Sequence, residues 1–347
     1  MSVKSHAAFP MSGDDGRIVQ LGEHEYRWEE LVLGSSPSDG WAHHGVAVLG
    51  DGGIVVCAPD QAVLIILDSS GRERSRAEID LVEMHGIRAT STVRGEPLLW
   101  VADNGHRFLP GRPCYVASVR PGRVVALGLD GKVRRELVPP ALEVYEHASW
   151  SPCAAAVDEE VYGGSGDIWV ADGYGKSLLH RFSAAGQLMA TLDGSESGTP
   201  FNTPHDVIID RRRAEPELYV ADRGNRRLVV FDLEGRFRRQ IGSGELTSPS
   251  GLATSGDLLF VSELYGRLAA FDLSDGVVGV LGTHDDHERP GWPNDLDDTG
   301  NLVPVRGLAQ DAFNSPHGLA TDTRGAIYVS EWLIGGRLVR LTPQRKP

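Results

Sequence analysis

Four of the twelve histidines in this 347-residue chain share one local setting. His44, His85, His205 and His317 each stand directly before the first apolar run of a recurring unit, and His205 and His317 follow a proline. Neutral imidazole is the commonest protein ligand for zinc and other first-row transition metals. Three such rings meeting at a point leave a coordination position for water or substrate, which is the layout of a catalytic rather than a closed structural centre. A metal held there can bind a substrate hydroxyl and lower its pKa, as it does for water. Taken singly, each ring has a blander reading, a hydrogen bond to water in a channel. Residue type alone does not bring the rings together; that depends on the elements that carry them.

Those elements are repeats. Each copy runs from a small or Pro residue through a polar residue and Gly into an apolar run and a turn. It continues with aromatic-Val-Ala/Ser-Asp/Glu, then Arg-Leu-apolar, then Asp-x-x-Gly. Residues 203–242 show the pattern best, with Thr203-Pro204-His205-Asp206-Val207, Leu218-Tyr219-Val220-Ala221-Asp222 and Arg227-Leu228-Val229-Val230-Phe231-Asp232. Six copies align, the first being the most degenerate. Each holds three or four strand-length apolar segments between Gly/Asp turns. Such a unit has two faces to cover, and six stacked radially cover one another, so the expected fold is an all-β six-bladed β-propeller. A seventh blade would need a copy that the sequence does not show. The last copy runs out of chain before a fourth strand, so Tyr26 to Val32 is expected to supply it and close the ring. Residues 1–16 read as a flexible segment and 17–347 as one domain.

In a propeller the first strand of each blade lines the channel, so equivalent positions converge on the axis. That position holds His44, His85, Cys153, His205, Ser250 and His317 in turn. His85, His205 and His317, from alternate blades, form the expected metal set, with zinc first and copper or iron as alternatives. His44 is a fourth ligand or a general base; Cys153 reads as packing. Asp103, Asp172, Asp222, Glu263 and Glu331 recur after the second strand and read as structural turn acceptors. Two long insertions, about His106 to Arg120 and Thr283 to Asp311, are loops of the kind that carry specificity, and the second could cover one mouth of the ring.

Composition sets limits. The 42 Gly and 20 Pro fit many tight turns. A net charge of −14 and scattered basic residues make a poor nucleic-acid binder. No apolar run reaches the roughly 18 residues of a membrane span. The first seventeen residues carry one Lys and no apolar core, so no secretory leader is expected. The three cysteines fit a reducing cytoplasm. The expected partner is a small-molecule substrate; oligomeric state is open.

Three segments resemble peptidyl-α-hydroxyglycine α-amidating lyase. They are Asp172-Gly173-Tyr174-Gly175, Phe201-Asn202-Thr203-Pro204-His205 followed by Val220-Ala221-Asp222-Arg223, and Phe313-Asn314-Ser315-Pro316-His317. His85-Gly86 fits the remaining ligand position. The resemblance implies a six-bladed propeller of NHL-type repeats, zinc on His85, His205 and His317, and catalysis by Tyr174. There are departures. The family's calcium-binding Asp after the last zinc ligand is Gly318 here, while Asp206 follows His205 in another blade. The family's catalytic Arg in the first blade has no match, and His43-His44 stands near that place. The family is secretory and disulfide-bonded. The expectation is therefore a related metal-dependent lyase that cleaves a C–N bond in an α-hydroxylated amide or amine, with Tyr174 moving the proton. The rivals are a non-catalytic NHL-type binding propeller and a different metalloenzyme, a hydrolase or an oxidase.

Overall fold

Runs such as Ile54–Cys57 and Val63–Leu67 are almost wholly apolar, as strands covered on both faces must be, and every residue in them is buried. The outermost strand of the same blade, Glu73–Glu78, is charged and exposed, which blunts the sheet edge. The computed structural model describes residues 16–31, 40–59, 61–109, 116–282, 297–299 and 311–344. Five antiparallel four-stranded sheets and one five-stranded sheet follow one another along the chain. They make a six-bladed β-propeller. The segment expected to be flexible lies, but for Gly16, outside the described residues. So do Cys114 and nearly all of the loop from Thr283 to Asp311.

Six apolar clusters occur among the described residues, and each draws its members from two neighbouring blades. The one between the first and last blades sets Val46, Ile54 and Val56 against Ala320, Tyr328 and Leu338. Each large aliphatic side chain buried in such a seam contributes about 1.5–3 kcal/mol. The ring is also closed by a hydrogen-bonded strand pair: His24–Leu31 pairs antiparallel with Arg337–Pro343, in the register Tyr26↔Pro343, Trp28↔Leu341 and Glu30↔Val339. Arg17–Leu21 adds a fifth strand outside it. Trp28 fixes the join, packing on Phe313 with ring centroids 4.7 Å apart. The insertion in the second blade forms a hairpin of its own, His106–Leu109 with Val116–Val119.

Two local devices bring the axial residues inward. In the fourth, fifth and sixth blades the first strand has a register shift, between Pro204 and Asp206, Pro249 and Gly251, and Pro316 and Gly318. The residue skipped by the ladder is His205, Ser250 or His317, and a bulge re-aims its side chain. A glycine after the axial residue (Gly45, Gly86, Gly251 and Gly318; after His205 the place is taken by Asp206) permits close approach between blades. A Cβ on Gly86 would lie 2.3 Å from the carbonyl oxygen of Cys153. The recurrent acids at the ends of the second strands do more than cap turns. Each accepts backbone N–H bonds from the segment entering its blade, just ahead of the axial residue: Asp103 from Val82 and Glu83, Asp222 from Asn202, and Glu331 from Asn314 and Ser315. These carboxylates clamp the strands that carry the histidines.

Candidate metal centre

His85, His205 and His317 pack around the axis with ring centroids 4.7–4.9 Å apart in every pair and interplanar angles of 72–87°. All three are buried. His85 Nδ1 lies 2.7 Å from the carbonyl oxygen of Cys153, and His205 Nδ1 lies 2.7 Å from that of Ser250. A carbonyl only accepts, so both Nδ1 atoms carry the proton and both Nε2 atoms present lone pairs inward. His85 Nε2 lies 3.2 Å from His317 Nε2, while His317 Nδ1 is buried with no hydrogen-bond partner. Either tautomer of His317 leaves a defect: a stranded Nδ1 lone pair, or an orphaned N–H with two Nε2 lone pairs face to face. A cation between the Nε2 atoms relieves the facing lone pairs of the second. Burial first, then neighbouring charge, pushes His85 down to about 3 and His205 and His317 well below the ordinary imidazole value. The rings are therefore neutral at neutral pH, as metal ligands must be. This donor set suits borderline transition metals, zinc among them.

Tyr174 reaches the same point. Its turn follows the strand Ile168–Asp172, and two glycines shape it: a Cβ on Gly173 would meet the Pro204 carbonyl oxygen, and one on Gly175 the Asp172 carboxylate, each at 2.3 Å. The Tyr174 hydroxyl lies 3.0 Å from His205 Nε2, 3.3 Å from His85 Nε2 and 3.4 Å from His43 Nε2. Arg223 stands over the tyrosine ring, its guanidinium carbon 5.4 Å from the centroid, and donates to the hydroxyl at 3.4 Å. Burial raises Tyr174 to about 12 against the opposing pull of Arg223, so the phenol keeps its proton at neutral pH. A cavity of about 400 Å³ is bordered by Tyr174 and His43, with Asn104, Arg223, Leu264 and Trp332 among others, while His85, His205 and His317 line a separate, much smaller pocket with Cys153 and Ser250.

His44 is not brought into this cluster. Its ring is buried, and its Nδ1 donates to the carbonyl oxygen of Gly45 at 2.8 Å. Neighbouring side chains on this connector point to different sides, and it is His43 that meets His85 and His317, at centroid distances of 4.7 and 4.4 Å. Ligand atoms of His43, His85 and His317 lie within 4.8 Å of one another, as do those of His85, Cys153 and His205. Burial raises the Cys153 thiol, which keeps it protonated. Sequence reasoning passed over His43, although the His43-His44 pair was its signal. It gave Arg223 no role, although Val220-Ala221-Asp222-Arg223 was recognised. It missed Glu83, an acid in the apolar run Leu81-Val82-Glu83-Met84; burial pushes that carboxyl up to about 7. Asp206 accepts from Arg88 at 2.9 Å and from the Leu252 N–H at 2.7 Å, so it ties the strands below the cluster.

No family model matches the chain. Human NHL repeat-containing protein 3 is 32% identical over 151 residues, 43% of this chain and 39% of that protein. The probable peptidyl-alpha-hydroxyglycine alpha-amidating lyase pgal-1 of Caenorhabditis elegans is 25% identical over 171 residues, 48% of this chain and 44% of the relative. The chain thus spans less than half the length of these curated relatives. Among solved structures, a streptogramin B lyase superposes with a TM-score of 0.57 at 14% identity, covering 92% of this chain and 98% of that one. Virginiamycin B lyase from Staphylococcus aureus gives 0.53 at 12% identity, with 91% and 99% covered. This is a six-bladed propeller with relatives among NHL-repeat proteins and amidating lyases. The structural likeness extends to the fold. No helix among the described residues is long and apolar enough to cross a membrane.

Proposed function

We propose that this propeller is a metal-dependent lyase. Its substrate is a small α-hydroxylated amide or amine, bound in the cavity that Tyr174 and His43 border, and the bond broken is carbon–nitrogen. The observation that carries the reading is the packing of His85, His205 and His317 around one point, with the hydroxyl of Tyr174, a residue that borders that cavity, on His85 and His205. Two amidating lyases among the relatives support it. His85, His205 and His317 would hold the metal, zinc in the first instance. A bound metal of this kind supplies Lewis-acid polarisation of a substrate oxygen.

The chain's own residues supply the rest. The substrate hydroxyl loses its proton and its C–O bond becomes a carbonyl. The C–N bond breaks, its electron pair goes to nitrogen, and nitrogen takes up a proton. Tyr174 is placed to move that proton because its hydroxyl touches the cluster and its phenol is protonated at neutral pH. Arg223 lies against the hydroxyl and stabilises the phenolate while the proton is away. Leu264 and Trp332 give the cavity an apolar wall, and Asn104 and Arg223 supply polar groups that orient a substrate. The buried free thiols Cys57 and Cys153 fit the reducing compartment in which we place the protein.

The test is a screen of α-hydroxylated amides and amines with metal-loaded and chelator-stripped protein. Turnover in the first and loss in the second is expected. Undiminished turnover in fully stripped protein overturns the reading. A non-catalytic binding propeller is the second reading, favoured by the human relative that is named for its repeats alone.

A further inference from the structure

We propose that His43 is a fourth imidazole ligand of this centre, held in position by Glu83; the proposal rests on the metal-centre reading above. The ring of His43 lies as close to its neighbours as the other three do to theirs, 4.7 Å from His85 and 4.4 Å from His317 between centroids. Its ligand atom and those of His85 and His317 lie within 4.8 Å of one another.

The surroundings of the ring carry the proposal further. A metal-binding histidine donates its other ring N–H to a carboxylate or carbonyl, which fixes the tautomer and aims the lone pair. His85 and His205 do this with the carbonyls of Cys153 and Ser250. His43 does it with a carboxylate: Nδ1 lies 3.2 Å from Glu83 Oε2. The other ring nitrogen, Nε2, then has its lone pair toward the Tyr174 hydroxyl and the cluster. Glu83 is itself held, accepting from Asn104 Nδ2 at 2.9 Å and anchored through its backbone N–H to Asp103. His44, one residue on, has a similar Nδ1 bond to a carbonyl but no ring contact with the cluster among the described residues.

The backbone of His43 is fixed as well. Trp41–Ala42 pairs with Leu333–Ile334 in the last blade, and the Gly335 N–H donates to Gly40. Trp332 packs on the His43 ring at 5.1 Å. The first blade's connector is thus strapped to the sixth blade at the point where His43 enters the cluster. Glu83, in hydrogen-bond contact with His43, is a carboxylate placed to offset a bound cation. A four-imidazole set with one member on a connector differs from a three-imidazole set in what it offers a substrate: His43 is the ligand that a substrate oxygen can displace.

The test uses Co²⁺ as the probe with the full chain, reading affinity by chelator competition and the visible d–d spectrum. His43→Ala should bind Co²⁺ at least about tenfold more weakly, with a changed spectrum as water replaces nitrogen. Glu83→Gln keeps the ring but removes the charged support, and should cost about 10- to 100-fold in affinity. Thermal melts establish that each variant is folded, and Glu83→Gln decides if His43→Ala is not. Unchanged affinity and spectrum in both variants overturns the role of His43 and leaves the three-histidine reading standing. Wild-type protein that binds no Co²⁺ overturns both.

Discussion

At the scale of single residues, the chemistry was legible as a position and only partly as side chains. The repeat places His85, His205 and His317 on the axis because the position before the first apolar run has one role in every blade. It pointed to His44 rather than His43, because the difference depends on how a short connector twists between Ala42 and Ala47. Nor could it show that Arg223 covers Tyr174, since they come from different blades. Tyr174→Phe removes one oxygen and leaves the ring packed. We expect turnover to fall by about 100- to 10,000-fold, the usual contribution of a general acid–base group, with little change in melting temperature. Undiminished turnover would remove Tyr174 from the mechanism. A second residue reports through stability. His180 is fully buried between Tyr145, whose hydroxyl is 2.8 Å from Nε2, and Thr191, 3.0 Å from Nδ1. Burial lowers it from 6.5 to about 4. The unfolded chain therefore binds this proton more readily than the folded one. Its contribution is fully present above pH about 6.5 and is lost as pH falls toward 4, on the order of 3 kcal/mol in all. Denaturation against pH should show a shallower acid slope in His180→Asn than in wild type; an identical slope would contradict this.

At the scale of elements, alternation and turns made the strands readable, while the devices that aim the histidines were hidden. A bulge needs only an unpaired residue, and nothing in Pro204-His205-Asp206 announces one. The clamping acids were visible as a recurring position but their targets were not, because each bond joins the end of one strand to the entry of another. The hairpin in the insertion, His106–Leu109 with Val116–Val119, went unread because Pro110, Gly111 and Pro113 mark that stretch as a loop. The close approach of blades at the axis makes a direct prediction. Gly86→Ala would put a methyl 2.3 Å from the Cys153 carbonyl oxygen, which is backbone and cannot swing away. That carbonyl also fixes His85. The variant should lose about 1–3 kcal/mol to overpacking and bind metal more weakly. Chemical denaturation and a metal titration measure the two effects, and a variant with wild-type values for both would show that the blades have slack there.

At the scale of the whole molecule, closure explains why residues far apart in sequence share a site. The terminal strand pairing and the six inter-blade clusters fix the ring, and the ring fixes the axis. Six copies and a missing last strand were enough to read this. The expected closing segment, Tyr26 to Val32, differs from the observed His24–Leu31 by two residues at its start, and Val32 lies outside the described residues. What the ring brings to its axis is a nitrogen-rich centre, and the account stands on that centre holding a metal. The most direct measurement is elemental analysis of protein purified without chelator or an immobilised-metal column, comparing wild type with the double variant His205→Ala, His317→Ala. The account predicts about one equivalent of a transition metal per chain in the wild type, as an open catalytic centre holds, and its loss in the double variant. Full stoichiometry retained in the folded double variant, or a wild type active without metal, would contradict it.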